Sequence, residues 1–313
     1  MSYPSSRSLD LQSIHRAAAL IREGKLVAFP TETVYGLGAN ALDARSVEKI
    51  FRVKGRPRSS PLIVHVESRE RAPDLVAEWP ETARKLASEF WPGPLTIVLP
   101  KRDIIPDIVT AGLPTVGLRV PANAYALALL VEADVPIAAP SANRFTELSP
   151  TTAEHVRKSL GDEVDFILDG GPTQVGIEST VISLAGPKPV LLRPGMISSA
   201  QIEAVIGHIE LAQGPAGESH PSPGMHPRHY RPRTPLLLQL PVTGRGAYLW
   251  LSELAPAAET IKMPADPAGY AAVLYETLHR LDQQHYDWIA AELPPDEPEW
   301  AGIRDRLERA SCV

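Results

Sequence analysis

Apolar residues first recur at helical spacing: Leu11, Ile14, Ala18 and Ile21 step by three and four, with Ser8 or Asp10 available as N-cap and Gly24 as a stop. The spacing predicts an amphipathic helix. Short apolar runs then appear at 26–29, 62–66, 95–99, 116–120, 137–139, 164–168, 180–184 and 190–192, each of strand length. The run at 95–99 carries no charge, as expected for a strand covered on both faces. Helical patterns fill the intervals at 47–53, 81–90, 124–132 and 151–160. Strands alternating with helices predict an α/β sheet.

The pattern stops near residue 207. The stretch 214–235 is rich in proline and has no periodicity, which marks an extended connector. Beyond it, runs at 236–240, 247–251 and 288–293 alternate with helical patterns near 268–281 and at 300–310, predicting a second, small α/β unit. The expected division is a first domain over 1–207, a linker over 208–235 and a C-terminal domain over 236–313. A length of 313 residues suits two domains, the larger able to bury its own core.

Composition removes several classes. Hydrophobic residues at 44% and charged residues at 22% fit a globular chain and exclude wholesale disorder. Cys312 is the single cysteine, so no intrachain disulfide and no zinc site built on two thiolates can form, and a cytoplasmic setting is expected. No run of 18 apolar residues exists, and Arg16, Arg22, Glu23 and Lys25 surround the short patch at 17–21, so neither a membrane span nor a signal peptide is expected. The net charge of −6 falls on residues 235–313, which hold six Lys and Arg against twelve Asp and Glu. That segment repels a phosphate backbone, so direct nucleic-acid binding is expected to be weak at most.

Candidate chemistry gathers at the predicted strand ends. Pro30-Thr-Glu-Thr-Val-Tyr-Gly-Leu-Gly38 follows a buried strand and reads as a hydroxyl-rich, glycine-rich turn for a small polar ligand. Gly36, Gly38 and Ala41 also satisfy a dinucleotide fingerprint, with Arg56 and Arg58 where a 2′-phosphate reader would sit. Six residues separate Phe29 from Gly36, however, whereas the fingerprint needs its first glycine in the tight turn at the strand end. Lys54-Gly-Arg-Pro-Arg-Ser-Ser-Pro61 carries three cations and two hydroxyls with no carboxylate among them, a polyphosphate site or a solvated basic loop. Arg119, Ser141, Asn143 and Arg193 each lie at another strand end, where ligands of α/β sheets collect. Convergent cations and hydroxyls suit an anionic substrate held by charge rather than a Ser-His-Asp nucleophile. His65, inside an apolar strand, is by pattern alone a structural histidine or a ligand.

Together these motifs resemble the threonylcarbamoyl-AMP synthase family, YrdC-like, in its long two-domain form. The resemblance is carried by Pro30–Gly38, the Lys54/Arg56 pair, Ser141-Ala-Asn143, Gly176-Ile-Glu-Ser-Thr-Val181, Leu192-Arg-Pro-Gly195, Ser222-Pro-Gly-Met225 and Arg228-His-Tyr-Arg-Pro232. It covers nearly the whole chain, strongly to residue 235 and more loosely beyond.

The resemblance implies a twisted mixed sheet with flanking helices plus a smaller C-terminal α/β domain. It implies a nucleotidyltransferase that makes threonylcarbamoyl-AMP and pyrophosphate from L-threonine, bicarbonate or CO₂, and ATP with Mg²⁺. A downstream tRNA threonylcarbamoyl transferase would take the product. Lys54, Arg56, Ser141 and Asn143 would be catalytic, and Arg56, Ser60, Thr115, Ser141, Ser149, Arg193 and Tyr230 would bind ATP. Thr33, His65, Arg119 and Thr180 would form the threonine pocket, with Arg119 gripping the carboxylate. Tyr230 falls on the family's nucleotide-contacting tyrosine, which implies that the linker folds back as a lid. Two other functions associated with this fold are a double-stranded RNA-binding module, disfavoured by the acidic C-terminal unit, and a hydrogenase-maturation carbamoyl adenylate enzyme, disfavoured by the lack of zinc-finger cysteines.

Overall fold

Helix α1 (Leu11–Arg22) begins where the Asp10 carboxylate accepts the Ser13 backbone N–H at 3.1 Å, relieving one of the orphan donors of the first turn. The computed structural model describes residues 9–212, 230–241 and 243–311. Ser8, Cys312 and most of the predicted linker therefore lie outside the described residues.

The large unit follows as β1 (Val27–Pro30), β2 (Tyr35–Asn40), α2 (Ala44–Lys54), β3 (Ile63–His65), α3 (Glu81–Phe90), β4 (Leu95–Pro100), α4 (Asp107–Thr110) and β5 (Thr115–Arg119). It continues through α5 (Ala124–Ala133), β6 (Ile137–Ala138), α6 (Ala153–Leu160), β7 (Phe166–Ile167), β8 (Thr180–Ser183), β9 (Val190–Arg193), α7 (Ser199–Ile206) and β10 (Glu210–Leu211). Its ten strands form one mixed sheet in the order β10-β9-β8-β4-β5-β3-β6-β2-β1-β7. Helices α1 and α5 bury Ile14, Ile21, Leu129 and Leu130 with Phe29 and Ile137, while α2 and α3 pack Ile50, Phe51 and Leu86 into a second, larger core.

The glycine-rich stretch read as a ligand turn is mostly strand. Gly36 and Gly38 sit in β2, paired antiparallel with Phe29 and Val27, and no tight turn exists at Gly36 for a dinucleotide. Glycine is required at position 38 for space. A Cβ there would stand 2.8 Å from Phe29 Cε1 and 2.9 Å from Ile137 Cγ2, both in fully buried side chains. Gly38→Ala is therefore expected to destabilise the fold by about 1–3 kcal/mol through overpacking. Urea unfolding checks it, and an unchanged midpoint would mean that the Phe29 ring yields.

The second unit comprises β11 (Leu236–Leu237), β12 (Gly246–Trp250), β13 (Glu259–Lys262), α8 (Pro267–Asp282), β14 (Trp288–Ala291) and α9 (Ala301–Ser311). Its four strands are parallel, in the order β11-β14-β12-β13. The run expected at 236–240 pairs only at its first two residues, because Gln239 and Leu240 are exposed and Pro241 has no donor to continue a ladder. The core beneath α8 and α9 includes Val34, Leu148 and Ile177 of the large unit, so the two units share buried contacts. Among the described residues, no helix is long and apolar enough to cross a membrane.

Candidate active site

One pocket gathers residues from strand ends spread across the large sheet. The loop between β1 and β2 brings Thr31 and Thr33, β3 brings His65, β5 brings Arg119, and β9 brings Arg193. Arg56 enters from the residues after α2, Ser141 from the loop after β6, Glu178 and Ser179 from the approach to β8, and Tyr230 from the chain before β11. Parallel pairing of β3 with β5 sets His65 directly beside Arg119.

At one end, the Arg119 guanidinium lies 2.8 Å from Glu32 Oε1, donates to Thr33 Oγ1 at 3.0 Å and to Gly93 O at 3.3 Å. The Arg119–Glu32 contact is a close ion pair whose N–H does not point along the axis, so Glu32 Oε1 accepts no hydrogen bond. Thr33 Oγ1 is also 2.8 Å from Thr31 Oγ1. Burial, with the Arg119 charge beside it, pushes the His65 imidazole down to about 3, so it is neutral at physiological pH. Its Nδ1 is buried and has no hydrogen-bond partner.

At the other end, the buried Arg56 guanidinium donates to Ser60 O at 3.2 Å, to Pro61 O at 3.0 Å and to the Ser60 hydroxyl. Burial pushes Arg56 down to about 10, which still leaves it charged at pH 7. Arg193 donates to Ser179 O at 3.0 Å and Ser179 Oγ at 3.1 Å, and burial lowers its pKa too. Ser60 is thus held on Arg56. Thr115 opens β5, where it pairs with Pro100 of β4, and it does not line the pocket.

Other expected residues stand in the wall rather than in the pocket. The buried Lys54 ammonium donates to the carbonyls of Ser141, at 2.6 Å, and Asn143, so it braces that loop. Desolvation and the nearby Arg56 push its pKa well below the ordinary value. Asn143 donates from Nδ2 to Arg144 O and Glu147 O at 2.9 Å, with its Oδ1 unpartnered. The Ser149 hydroxyl donates to Glu178, and the Thr180 hydroxyl donates to Ile197 O at 2.9 Å. The adjacent Ser179 lines the pocket instead. Tyr230 is buried at φ +64°, its ring 6.0 Å from Tyr275 and 5.1 Å below the Arg306 guanidinium. The predicted lid segment that precedes it, 213–229, lies outside the described residues.

Sequence reasoning missed Thr31, Glu32, Glu178 and Ser179 as contributors. They stand inside the quoted motifs, and the signal available was polar residues next to buried strands. It missed Arg306 and Tyr275 altogether. Burial alone would raise the Glu178 carboxyl, but Arg306 and Arg193 outweigh it and hold the group below its ordinary value.

Two buried neutral histidines make stability depend on pH. His65 and His155 are both pushed down to about 3, the latter by burial and by His279, whose ring stacks on it at 3.8 Å. The unfolded chain binds a proton on each near pH 6.5, while the folded chain does not until about pH 3. Stability is therefore full above the unfolded value and is lost as pH falls below it, by about 1.4 kcal/mol per pH unit for His65 and by less for His155, which Glu276 Oε2 approaches at 3.4 Å. Denaturant titrations between pH 7 and 4 test this, and His155→Gln should flatten the slope.

The fold and this site define an enzyme of the YrdC-like class: residues 19–195 match the family model described as Telomere recombination, which groups Sua5, YciO and YrdC. Residues 197–312 match the model described as Threonylcarbamoyl-AMP synthase, C-terminal domain. The chain belongs to the threonylcarbamoyl-AMP synthase family. The threonylcarbamoyl-AMP synthase of Bacillus subtilis is 45% identical over 320 residues, covering 95% of this chain and 92% of its own length. That of Pyrococcus abyssi is 41% identical over 325 residues, covering 95% of this chain and 94% of its own. The crystal structure of Pyrococcus abyssi Sua5 complexed with L-threonine superposes with a TM-score of 0.91 at 40% identity, over 97% of this chain and 96% of that one.

Proposed function

We propose that the chain converts L-threonine, bicarbonate or CO₂, and MgATP into threonylcarbamoyl-AMP and pyrophosphate. A separate cytoplasmic transferase then places the threonylcarbamoyl group on an adenosine of tRNA. The observation that carries this reading is one pocket with two cationic ends, Arg119 with Thr33 and His65 at one, Arg56 with Arg193 and Ser141 at the other. The Pyrococcus abyssi relative forms a complex with L-threonine, which supports an amino-acid substrate here.

The threonine carboxylate suits the planar fork of Arg119, which Glu32 holds in place. Thr33 adds a hydroxyl, Thr180 fixes the strand entry through its bond to Ile197, and the neutral His65 offers Nδ1 to a donor on the amino acid. The threonine amine captures CO₂ as a carbamate, or bicarbonate with loss of water. A carbamate oxygen then attacks the α-phosphorus: the new O–P bond forms, the bond to the β-phosphate oxygen breaks, and pyrophosphate departs. Holding a short-lived carbamate in line with the phosphorus is the main demand on the protein. Arg56 and Arg193 offset charge on the phosphates, while Ser60, Thr115, Ser141, Asn143, Ser149 and Tyr230 are assigned to the nucleotide and the loops that hold it.

Among the described residues, no pocket hydroxyl is hydrogen-bonded to a histidine, so positioning and charge are read as the chain's contribution. Mg²⁺ is read as part of the substrate, carried on phosphate oxygens. The test is pyrophosphate release from ATP with threonine and bicarbonate omitted in turn. Release should require both, and release without threonine would overturn the reading.

A further inference from the structure

Glu178 faces the pocket, yet its strongest partner comes from the other unit. Arg306 lies on α9, 128 residues later in the chain, and is 1% exposed. Its Nε donates to Glu178 Oε2 at 2.8 Å, one terminal nitrogen donates to Glu178 O at 3.2 Å, and the other donates to Pro194 O at 2.8 Å. Tyr275 of α8 adds a hydrogen bond from its hydroxyl to Glu178 Oε2 at 3.2 Å. Helix α9 is seated tightly: a Cβ on Gly302, one turn before Arg306, would stand 2.8 Å from the Cα of Gly195. The other acid against Arg306, Asp305, lies 2.9 Å from it and is shared with Arg309 at 2.8 Å.

The charge balance of the pocket makes this contact consequential. Its described charged lining is Arg56, Arg119, Arg193 and Glu178, and Arg119 is offset by Glu32. A bare Glu178 would offset the positive charge of the lining and repel an incoming phosphate at close range in a poorly hydrated space. Arg306 cancels Glu178 from behind the wall. Although burial opposes it, the acidic and phenolic groups around Arg306 hold its pKa well above the ordinary value, so it stays charged.

We propose that Arg306 is a positioning residue supplied by the second unit: it neutralises and orients Glu178, so that the pocket keeps the positive charge a polyphosphate requires. The proposal rests on the adenylate-forming reading for the identity of the anion, so its test uses inorganic pyrophosphate, whose binding needs no turnover.

Calorimetry on the full-length chain compares wild type with Arg306→Met, Arg306→Lys and the double variant Arg306→Met/Glu178→Gln. Arg306→Met should weaken pyrophosphate binding at least ~10-fold and raise the KM for ATP by a similar factor, with the threonine KM changed by less than about twofold. Arg306→Lys should restore part of the loss. The double variant removes both charges together and should return pyrophosphate affinity to within about threefold of wild type. Should Arg306→Met fail to fold cooperatively, the double variant, which does not strand the Glu178 carboxylate, and the lysine variant carry the comparison. Wild-type affinity in Arg306→Met, or a double variant that binds no better than Arg306→Met or, where that variant does not fold, binds far more weakly than wild type, would overturn the proposal. If the wild-type chain released no pyrophosphate from ATP, the proposed function would fall, while the binding comparison would still decide the role of Arg306.

Discussion

Arg56→Ala is expected to release pyrophosphate at least ~10²-fold more slowly than wild type while still folding cooperatively. Arg56 is buried, and its described hydrogen-bond acceptors are two carbonyl oxygens and a hydroxyl, with the Phe145 ring 5.8 Å away and no carboxylate within ion-pair distance among the described residues. Burying a charge against neutral acceptors alone is costly, and a bound anion is what offsets it. The charge survives burial, since the guanidinium is pushed only to about 10. Removing it leaves the phosphates one counter-charge short in a site where screening by water is weak. The alanine variant keeps the backbone of the loop, whose other anchor is Lys54 on the Ser141–Asn143 carbonyls. Near-normal pyrophosphate release by the purified variant would take Arg56 out of the phosphate site.

The second large effect separates geometry from charge at Arg119. Arg119→Lys keeps the charge near Glu32 but loses the planar fork, so the KM for threonine should rise at least ~10-fold while that for ATP changes little. Arg119→Ala should go further. It strands Glu32, a side chain only 5% exposed, with no cation at 2.8 Å, and breaking a buried pair in this way costs about 3–5 kcal/mol. Paired titrations of threonine and ATP test the first variant and urea unfolding the second. An effect of Arg119→Lys confined to ATP would move Arg119 out of the amino-acid end, and an alanine variant as stable as wild type would show that Glu32 is reached by water.

Much of the fold was legible because its elements are strongly patterned. The helix expected at 81–90 is α3, residue for residue, and the uncharged run at 95–99 is the buried β4. The strand Tyr35–Asn40 was hidden because Gly36 and Gly38 have no side chain with which to show an alternation, and their function is to admit the Phe29 ring. Edge strand β13 was missed because half its residues face solvent and its pairing partner alone defines it. At the site, the cations and hydroxyls at strand ends were visible as residue types, but their division between pocket and wall was not. Lys54 shows why. Its charge suggested a phosphate contact, whereas its burial and two carbonyl partners are tertiary facts with no local signature. The Glu178–Arg306 pair spans 128 residues and two units, beyond any spacing rule.

That separation has a consequence for the chain during its synthesis. At the usual ribosomal pace of ~5–20 residues/s, roughly 6–25 s pass between the making of Glu178 and the making of the arginine that pairs with it. Throughout that interval Glu178 has Arg193 as its charged neighbour, without the second guanidinium that α9 brings. A nascent chain halted before α9 is thus expected to hold nucleotide weakly, and its grip is expected to tighten only once the second unit has been made.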